Sequence, residues 1–134
     1  MKRIVFDSYA LLALFRDEKG REEVSNLLTE IANGEKEGFI SVLNVGEVYY
    51  ISHRKDGKEK AEDVLTAMVH FPLEITDADF DLTITAAKLK AKYKLSYADA
   101  FAASVTINKK ATLITGDKEF KHLEGETNFK VHFI

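Results

Sequence analysis

The sequence has 134 residues, of which 46% are hydrophobic and 31% charged, and its net charge is −3. This length allows one domain with a substantial core, and the composition excludes an intrinsically disordered chain. The absence of cysteine excludes disulfides and thiolate zinc sites and is typical of a reducing compartment. No apolar run reaches the roughly 20 residues of a membrane span. We expect one domain over residues 1–134, located in the cytoplasm without a membrane segment.

The first half of the chain alternates between short apolar runs and segments with helical spacing. A strand is predicted at Arg3–Phe6 and another at Gly38–Ser41. Helices are predicted at about Ser8–Phe15 and Gly20–Ala32, and a third follows the second strand to about Lys55, where Asp56-Gly57 ends it.

The second half continues the alternation. The spacing predicts helices at Lys58–His70, from the cap Thr76 to about Tyr93, and from Ser96 to Asn108. It predicts strands at Leu73–Ile75, Thr112–Ile114 and Lys130–Phe133. Asp77-x-Asp79-x-Asp81 begins like a calcium loop, but Leu82 replaces the required glycine, so Thr76-x-x-Asp79 is interpreted as a helix capping box.

Strands separated by helices indicate an α/β fold with a mainly parallel sheet of five strands. Ligands of such sheets bind beyond the carboxyl ends of the strands, where the strand order reverses. With the strand order 3-2-1-4-5, taken here as an assumption, the reversal lies between the first and fourth strands.

Four acidic residues are predicted to meet at that point. Asp7 follows the first strand and Asp117 the fourth. Glu47 lies in the second turn of the helix that leaves the second strand, and Asp99 lies in the first turn of the helix that leads into the fourth. The carboxyl ends of parallel strands share one edge of the sheet, so all four carboxylates can converge there.

Each acid also has a structural explanation. Asp7 and Asp117 are good N-caps for the segments that follow them, and Asp99 completes a capping box with Ser96. Glu47 suits a solvated helix surface. Four carboxylates at one edge repel one another, however, so such a site needs a bound cation or raised pKa values.

The segments "IVFDSYALLALF", "SVLNVGEVYY", "LSYADAFAAS" and "LITGDKEF" resemble the motifs of PIN-domain ribonucleases, most closely the VapC-type toxins of toxin–antitoxin pairs. The resemblance implies a three-layer α/β/α sandwich in which the catalytic, metal-binding acids are Asp7, Glu47, Asp99 and Asp117. It also implies supporting polar roles for Ser8, Asn44 and Thr115, and hydrolysis of RNA phosphodiester bonds with Mg²⁺ or Mn²⁺. A homodimer and a small DNA-binding antitoxin are the implied protein partners.

Within this interpretation Asp7, Asp99 and Asp117 are the main metal ligands, while Glu47 binds a second ion or orients the attacking water. Lys118 and Lys121 are the basic residues nearest to Asp117 in sequence. They are candidates for contact with the RNA backbone, although basic residues of this kind more often lie on a solvated surface. Two alternatives stay open, namely a PIN nuclease of housekeeping RNA maturation and a non-catalytic PIN-like module that binds RNA or protein.

Overall fold

The computed structural model describes residues Met1–Ile134. Its strands are β1 (Arg3–Phe6), β2 (Glu37–Ser41), β3 (Glu74–Thr76), β4 (Thr112–Thr115) and β5 (Lys130–Phe133). Its α-helices are α1 (Ser8–Phe15), α2 (Arg21–Ala32), α3 (Val42–Asp56), α4 (Lys58–His70), α5 (Phe80–Lys92) and α6 (Tyr97–Asn108). A 3-10 helix covers Lys118–Leu123. None of the helices combines the length and the apolar character that crossing a membrane requires.

The five strands form one sheet in the order β3-β2-β1-β4-β5, and every neighbouring pair is parallel. This arrangement confirms the predicted α/β fold and the assumed strand order. The central strand β1 pairs Ile4 with Gly38 of β2 and with Thr112 of β4. The carboxyl ends of β1 and β4 are therefore neighbours, which places the residues after Phe6 beside those after Thr115.

Helices cover both faces of the sheet, because the buried side chains of each strand alternate between its two sides. Ile4 and Phe6 face one core, which α1, α2, α3 and α4 cover with apolar side chains. Val5 faces the other core, together with Phe39 and the buried residues of α5 and α6. The result is the predicted three-layer sandwich.

The start of α5 differs from the prediction. Thr76 does not cap this helix but is the last residue of β3, where it pairs with Ser41 of β2. Asp79 is the N-cap instead, and its Oδ1 accepts a hydrogen bond of 2.8 Å from the backbone N–H of Leu82. The capping-box prediction was wrong because pairing with β2 holds the backbone at Thr76 extended, so that the helix starts beyond this residue and Asp79 caps it.

Candidate active site

A cleft of about 230 Å³ opens at the carboxyl ends of β1 and β4. Its lining residues are Asp7, Ser8, Tyr9, Leu12, Glu47, Ile51, Ser96, Asp99 and Asp117. All four acids singled out in the sequence line this one cleft. They reach it from four different elements, since two follow strands and two lie near helix starts.

Asp7 is buried and both of its carboxylate oxygens accept hydrogen bonds. Oδ1 accepts from the backbone N–H of Ala10 at 2.9 Å, which caps α1. Oδ2 accepts from the Thr115 hydroxyl at 2.5 Å. Asp7 is therefore a helix cap and a member of the acidic cleft at once, and its orientation is fixed by two elements of the fold.

Thr115 connects the two acids that follow the central strands. Its hydroxyl donates to Asp7 and accepts a hydrogen bond of 3.0 Å from the backbone N–H of Asp117. The residue is fully buried at the end of β4. Thr115 thus joins the side chain of Asp7 to the backbone of Asp117, and its supporting role in the site stays a prediction.

Three carboxylates in the cleft region come close enough to share one cation. Ligand oxygens of Asp99, Asp117 and Glu119 lie within 4.8 Å of one another. Asp117 caps the 3-10 helix by accepting from the backbone N–H of Glu119 at 2.9 Å, which holds the two residues in a tight turn. Hard divalent cations prefer oxygen ligands of this type.

Glu119 was not among the acids predicted from the sequence. The available signal was the Asp117-x-Glu119 spacing directly after a buried strand. Neighbours two apart point in different directions on an α-helix, whereas the cap and 3-10 turn bring these two acids together. The three-carboxylate group includes Glu119 and does not include Asp7 or Glu47.

The electrostatics of the cleft differ from those of an exposed surface. Burial raises the pKa of Asp7 to about 7, and the charges of Asp99 and Asp117 add to this against the hydrogen bonds from Thr115 and Ala10. Burial also raises the pKa of Asp99 to about 6, with repulsion from Asp117, Glu47 and Glu119 in the same direction and a hydrogen bond with Ser96 opposing it. The carboxylates therefore hold protons at higher pH than free acids do, as expected for a site that gathers negative charge.

Ser8 and Asn44 meet behind the acids. The amide Nδ2 of Asn44 donates to the Ser8 hydroxyl at 2.9 Å, and both side chains are buried. The Oδ1 atom of Asn44 is buried without a hydrogen-bond partner in the chain. This hydrogen bond links the start of α3 to the start of α1. Glu47 lies on α3 and Asp7 caps α1, so the bond helps to fix the positions of both acids.

The two lysines proposed for RNA contact lie outside the cleft lining. Lys118 and Lys121 are exposed on the 3-10 helix. The Nζ atom of Lys121 lies 5.7 Å from the centre of the Phe133 ring. Their contact with a nucleic acid stays a prediction.

The profile of the PIN domain matches residues 4–126 of the chain. The chain belongs to the PIN-domain family. A comparison with curated protein sequences finds no significant match. The PIN fold itself explains why acids that are far apart in sequence meet here, since the match spans β1, the helices and β4.

Several solved structures with the same fold are VapBC or VapC proteins of toxin–antitoxin systems. VapBC2 from Rickettsia felis has a TM-score of 0.77 and 20% identity, with 98% of both chains covered. VapBC from Salmonella typhimurium has a TM-score of 0.75 and 17% identity over 99% of this chain and 98% of that one. VapC20 from Mycobacterium tuberculosis, described as a sarcin-ricin loop cleaving toxin, has a TM-score of 0.74 and 17% identity over 90% of this chain and 95% of that one. At these identities the likeness establishes the fold.

The residues present fit a divalent cation bound by oxygen. The three-carboxylate group is formed by hard ligands without sulfur or imidazole, which favours Mg²⁺ or Mn²⁺ over zinc or copper. Burial is the main cause of the raised pKa values of Asp7 and Asp99, and repulsion between the neighbouring carboxylates adds to it.

Proposed function

We propose that this PIN-domain chain is a divalent-cation-dependent endoribonuclease whose nuclease domain spans residues 1–134. The observation that carries the proposal is the approach of the Asp99, Asp117 and Glu119 oxygens to within 4.8 Å, in a region where Asp7 and Glu47 add further negative charge. Clustered carboxylates without a cation are costly, since each pair repels by about 4 kcal/mol at 4 Å and an effective dielectric near 20. A bound cation removes that cost.

Mg²⁺ or Mn²⁺ in the three-carboxylate group would supply positive charge beside the scissile phosphate and lower the pKa of a water molecule. Asp99, Asp117 and Glu119 hold the cation in this proposal. Asp7, fixed by Thr115 and the α1 cap, lines the cleft beside this group. Glu47 lies half-buried in the cleft wall and serves to accept the proton of the attacking water.

The toxin role is supported by the kind of proteins that share the fold. The R. felis and S. typhimurium relatives are VapBC proteins bound to DNA, and the M. tuberculosis relative is described as a toxin that cleaves the sarcin-ricin loop. By analogy the partner of this chain is a small DNA-binding antitoxin, and the substrate is an RNA in the cytoplasm. A housekeeping PIN nuclease is the alternative within the same chemistry, and a gene for an antitoxin beside this one distinguishes the two.

Self-association belongs to the same proposal. The apolar residues of α2 and α4 at helical spacing, such as Val24 and Val64, are buried in the core and are not free for a partner. Val69 and Tyr50, by contrast, are 55% and 46% exposed. Sedimentation equilibrium checks whether such surfaces form the proposed homodimer, and a monomer at the concentrations used for cleavage contradicts it.

The decisive experiment is cleavage of RNA with EDTA, Mg²⁺ or Mn²⁺, using the wild type and Asp99→Asn. The variant should lose at least about 100-fold in rate, as when one preorganised charged or polar group is removed from an active site. Asp63→Asn is the matched control, because Asp63 is an exposed helical acid of α4 outside the cleft. Equal rates for wild type and Asp99→Asn would refute the site. RNA binding without cleavage under any metal would favour a non-catalytic PIN module.

A further inference from the structure

One wall of the cleft is apolar and contains an exposed aromatic side chain. Tyr9 lies in the first turn of α1, two residues after Asp7, and its side chain is 46% exposed. It lines the cleft beside Leu12 and Ile51, whereas Asp99 and Asp117 line it with charge. The cleft therefore offers carboxylates and an aromatic ring to the same ligand.

The ring of Tyr9 is held against the backbone between β4 and the 3-10 helix. A Cβ atom at Gly116 would lie 2.1 Å from Cε1 of Tyr9 and 2.6 Å from its Cζ. Gly116 does not have a positive φ, so its backbone conformation does not require glycine. Glycine is needed here because any side chain would clash with the ring of Tyr9. Glycine at this position lets the aromatic ring rest directly beside Asp117.

The polar end of Tyr9 is not used inside the protein. Other tyrosines of the chain direct their hydroxyls to carboxylates, as Tyr49 does to Glu62 and Tyr93 to Glu126. Tyr9 makes no side-chain hydrogen bond, and nearly half of its surface faces solvent at the mouth of the cleft. The fold fixes the ring on one side and leaves the other available.

We propose that Tyr9 is a specificity-determining residue that stacks on the nucleobase next to the scissile phosphate, so that the RNA is cut where a nucleotide is unpaired. This inference rests on the proposed function, because that function places the scissile phosphate beside Asp99 and Asp117. A base can reach the ring only when it is free of its own stack and pair. Stacking on an aromatic side chain also supplies affinity that a chain with net charge −3 does not gain from its overall electrostatics.

The test measures RNA binding separately from cleavage. A single-stranded oligoribonucleotide containing 2-aminopurine is titrated with protein in EDTA, and anisotropy and 2-aminopurine quenching are recorded together. Tyr9→Leu should weaken binding by about 10- to 100-fold, the range for loss of one base–aromatic stack, and should abolish quenching. Tyr9→Phe keeps the ring and should retain both signals.

The matched control is Tyr50→Leu. Tyr50 is also 46% exposed but does not line the cleft, and the guanidinium of Arg54 lies 5.3 Å from the centre of its ring. This variant should bind with wild-type affinity and quench normally. If Tyr9→Leu does not fold, Tyr9→Met replaces it, because a methionine covers Gly116 without providing an aromatic face.

The outcomes separate this inference from the nuclease proposal. Wild-type affinity and quenching in Tyr9→Leu, with RNA cleavage intact, would overturn the stacking role and leave the nuclease standing. Loss of quenching in Tyr9→Leu, from a wild type that binds RNA but cuts none with Mg²⁺ or Mn²⁺, would support stacking and refute the nuclease. A wild type that binds no RNA in EDTA but cuts it with Mg²⁺ or Mn²⁺ would refute the stacking role alone, and a wild type that does neither would refute both. A hairpin with 2-aminopurine in its stem should be quenched less than one with it in the loop, and the reverse order would contradict the inference.

Discussion

The two ends of the parallel sheet carry opposite charge. At the carboxyl end the cleft is lined by Asp7, Glu47, Asp99 and Asp117. At the amino end a groove of about 700 Å³ is lined by Met1, Lys2, Arg3, Glu37, Lys110, Thr112 and Lys130. Because all strands are parallel, their carboxyl ends lie at one edge of the sheet and their amino ends at the other. Acidic residues predominate at the first edge and basic residues at the second.

The helices explain part of this division. α1 and α6 begin at the carboxyl end of the sheet, where the positive ends of helix dipoles favour Asp7 and Asp99. α6 ends at the amino end, where Lys109 and Lys110 follow its last turn and face the negative end of the dipole. The raised pKa values of Asp7 and Asp99 show that burial and mutual repulsion outweigh the dipoles at the acidic end. Ionising the buried carboxylates at this end is therefore unfavourable in the free protein, and a bound cation would offset that cost.

The largest expected effect is a loss of stability with rising pH in EDTA. Asp7 has a folded pKa near 7 and an ordinary value of 3.8, so the folded state binds more protons between these values. The associated stability is fully present below about pH 4 and is lost as pH rises through 7, by up to about 4 kcal/mol at Asp7. Thermal or urea unfolding from pH 4.5 to 8 measures it.

Two comparisons sharpen that result. Asp99→Asn should show a smaller decline with pH, because it removes a second group with a raised pKa and one source of repulsion on Asp7. Added Mg²⁺ should restore stability most at high pH, since it competes with protons for the carboxylates. A wild type whose stability rises steadily from pH 4.5 to 8 would contradict the electrostatics described for the cleft.

The next effect compares the two ends of one strand. Thr115→Val removes the hydroxyl that donates to Asp7 and accepts from the Asp117 N–H, and it should cost about 1–3 kcal/mol in the free energy of unfolding. Thr112→Val changes the amino end of the same strand, where the half-buried hydroxyl has no such role, and should be nearly neutral. Urea unfolding measures both. Equal losses would mean that the Thr115 network adds no stability of its own.

Glu119→Gln tests the acid that sequence reasoning missed. It should weaken binding of Mg²⁺ or Mn²⁺ by about tenfold or more. Mutating a residue that only hydrogen-bonds to a metal ligand typically lowers metal affinity by about 10- to 100-fold, and removing a direct ligand should lower it at least as much. Isothermal titration of the cation measures the affinity. Glu37→Gln, at the amino end, is the control and should bind the cation as the wild type does. Unchanged affinity in Glu119→Gln would remove Glu119 from the cation group.

The smallest effect lies at the basic end. Lys110 has φ 51°, in the left-handed region that favours glycine, and its N–H donates to the Ile107 carbonyl at 3.1 Å just after α6. Lys110→Gly should stabilise the fold by up to about 1 kcal/mol by relieving this conformation. Lys109→Gly should destabilise it, because Lys109 has an ordinary φ of −86°. Thermal melting measures both, and a loss in both variants would contradict the argument. RNA cleavage should not change in Lys110→Gly.

The strands, helices and acidic positions were largely predictable because they depend on local patterns. Apolar runs ending at Asp7 and Thr115 located the two central strands, and Gly57, with φ 92°, separates α3 from α4 as the Asp56-Gly57 signal predicts. The helix start at Thr76 was not predictable. Thr76 and Asp79 are both good capping residues, and only the pairing of Thr76 with Ser41 decides between them.

The sequence by itself determined which acids follow strands and open helices, because those positions are set by short-range hydrophobic periodicity and capping chemistry. Only the tertiary structure decided which of them come within reach of one cation. The carboxylate of Asp7 accepts hydrogen bonds from α1 and Thr115. The 3-10 turn after Asp117 brings Glu119 close to Asp99, which lies on α6, about 20 positions earlier in the chain. Distances between side chains depend on how separate elements pack, and no local pattern in the sequence encodes them.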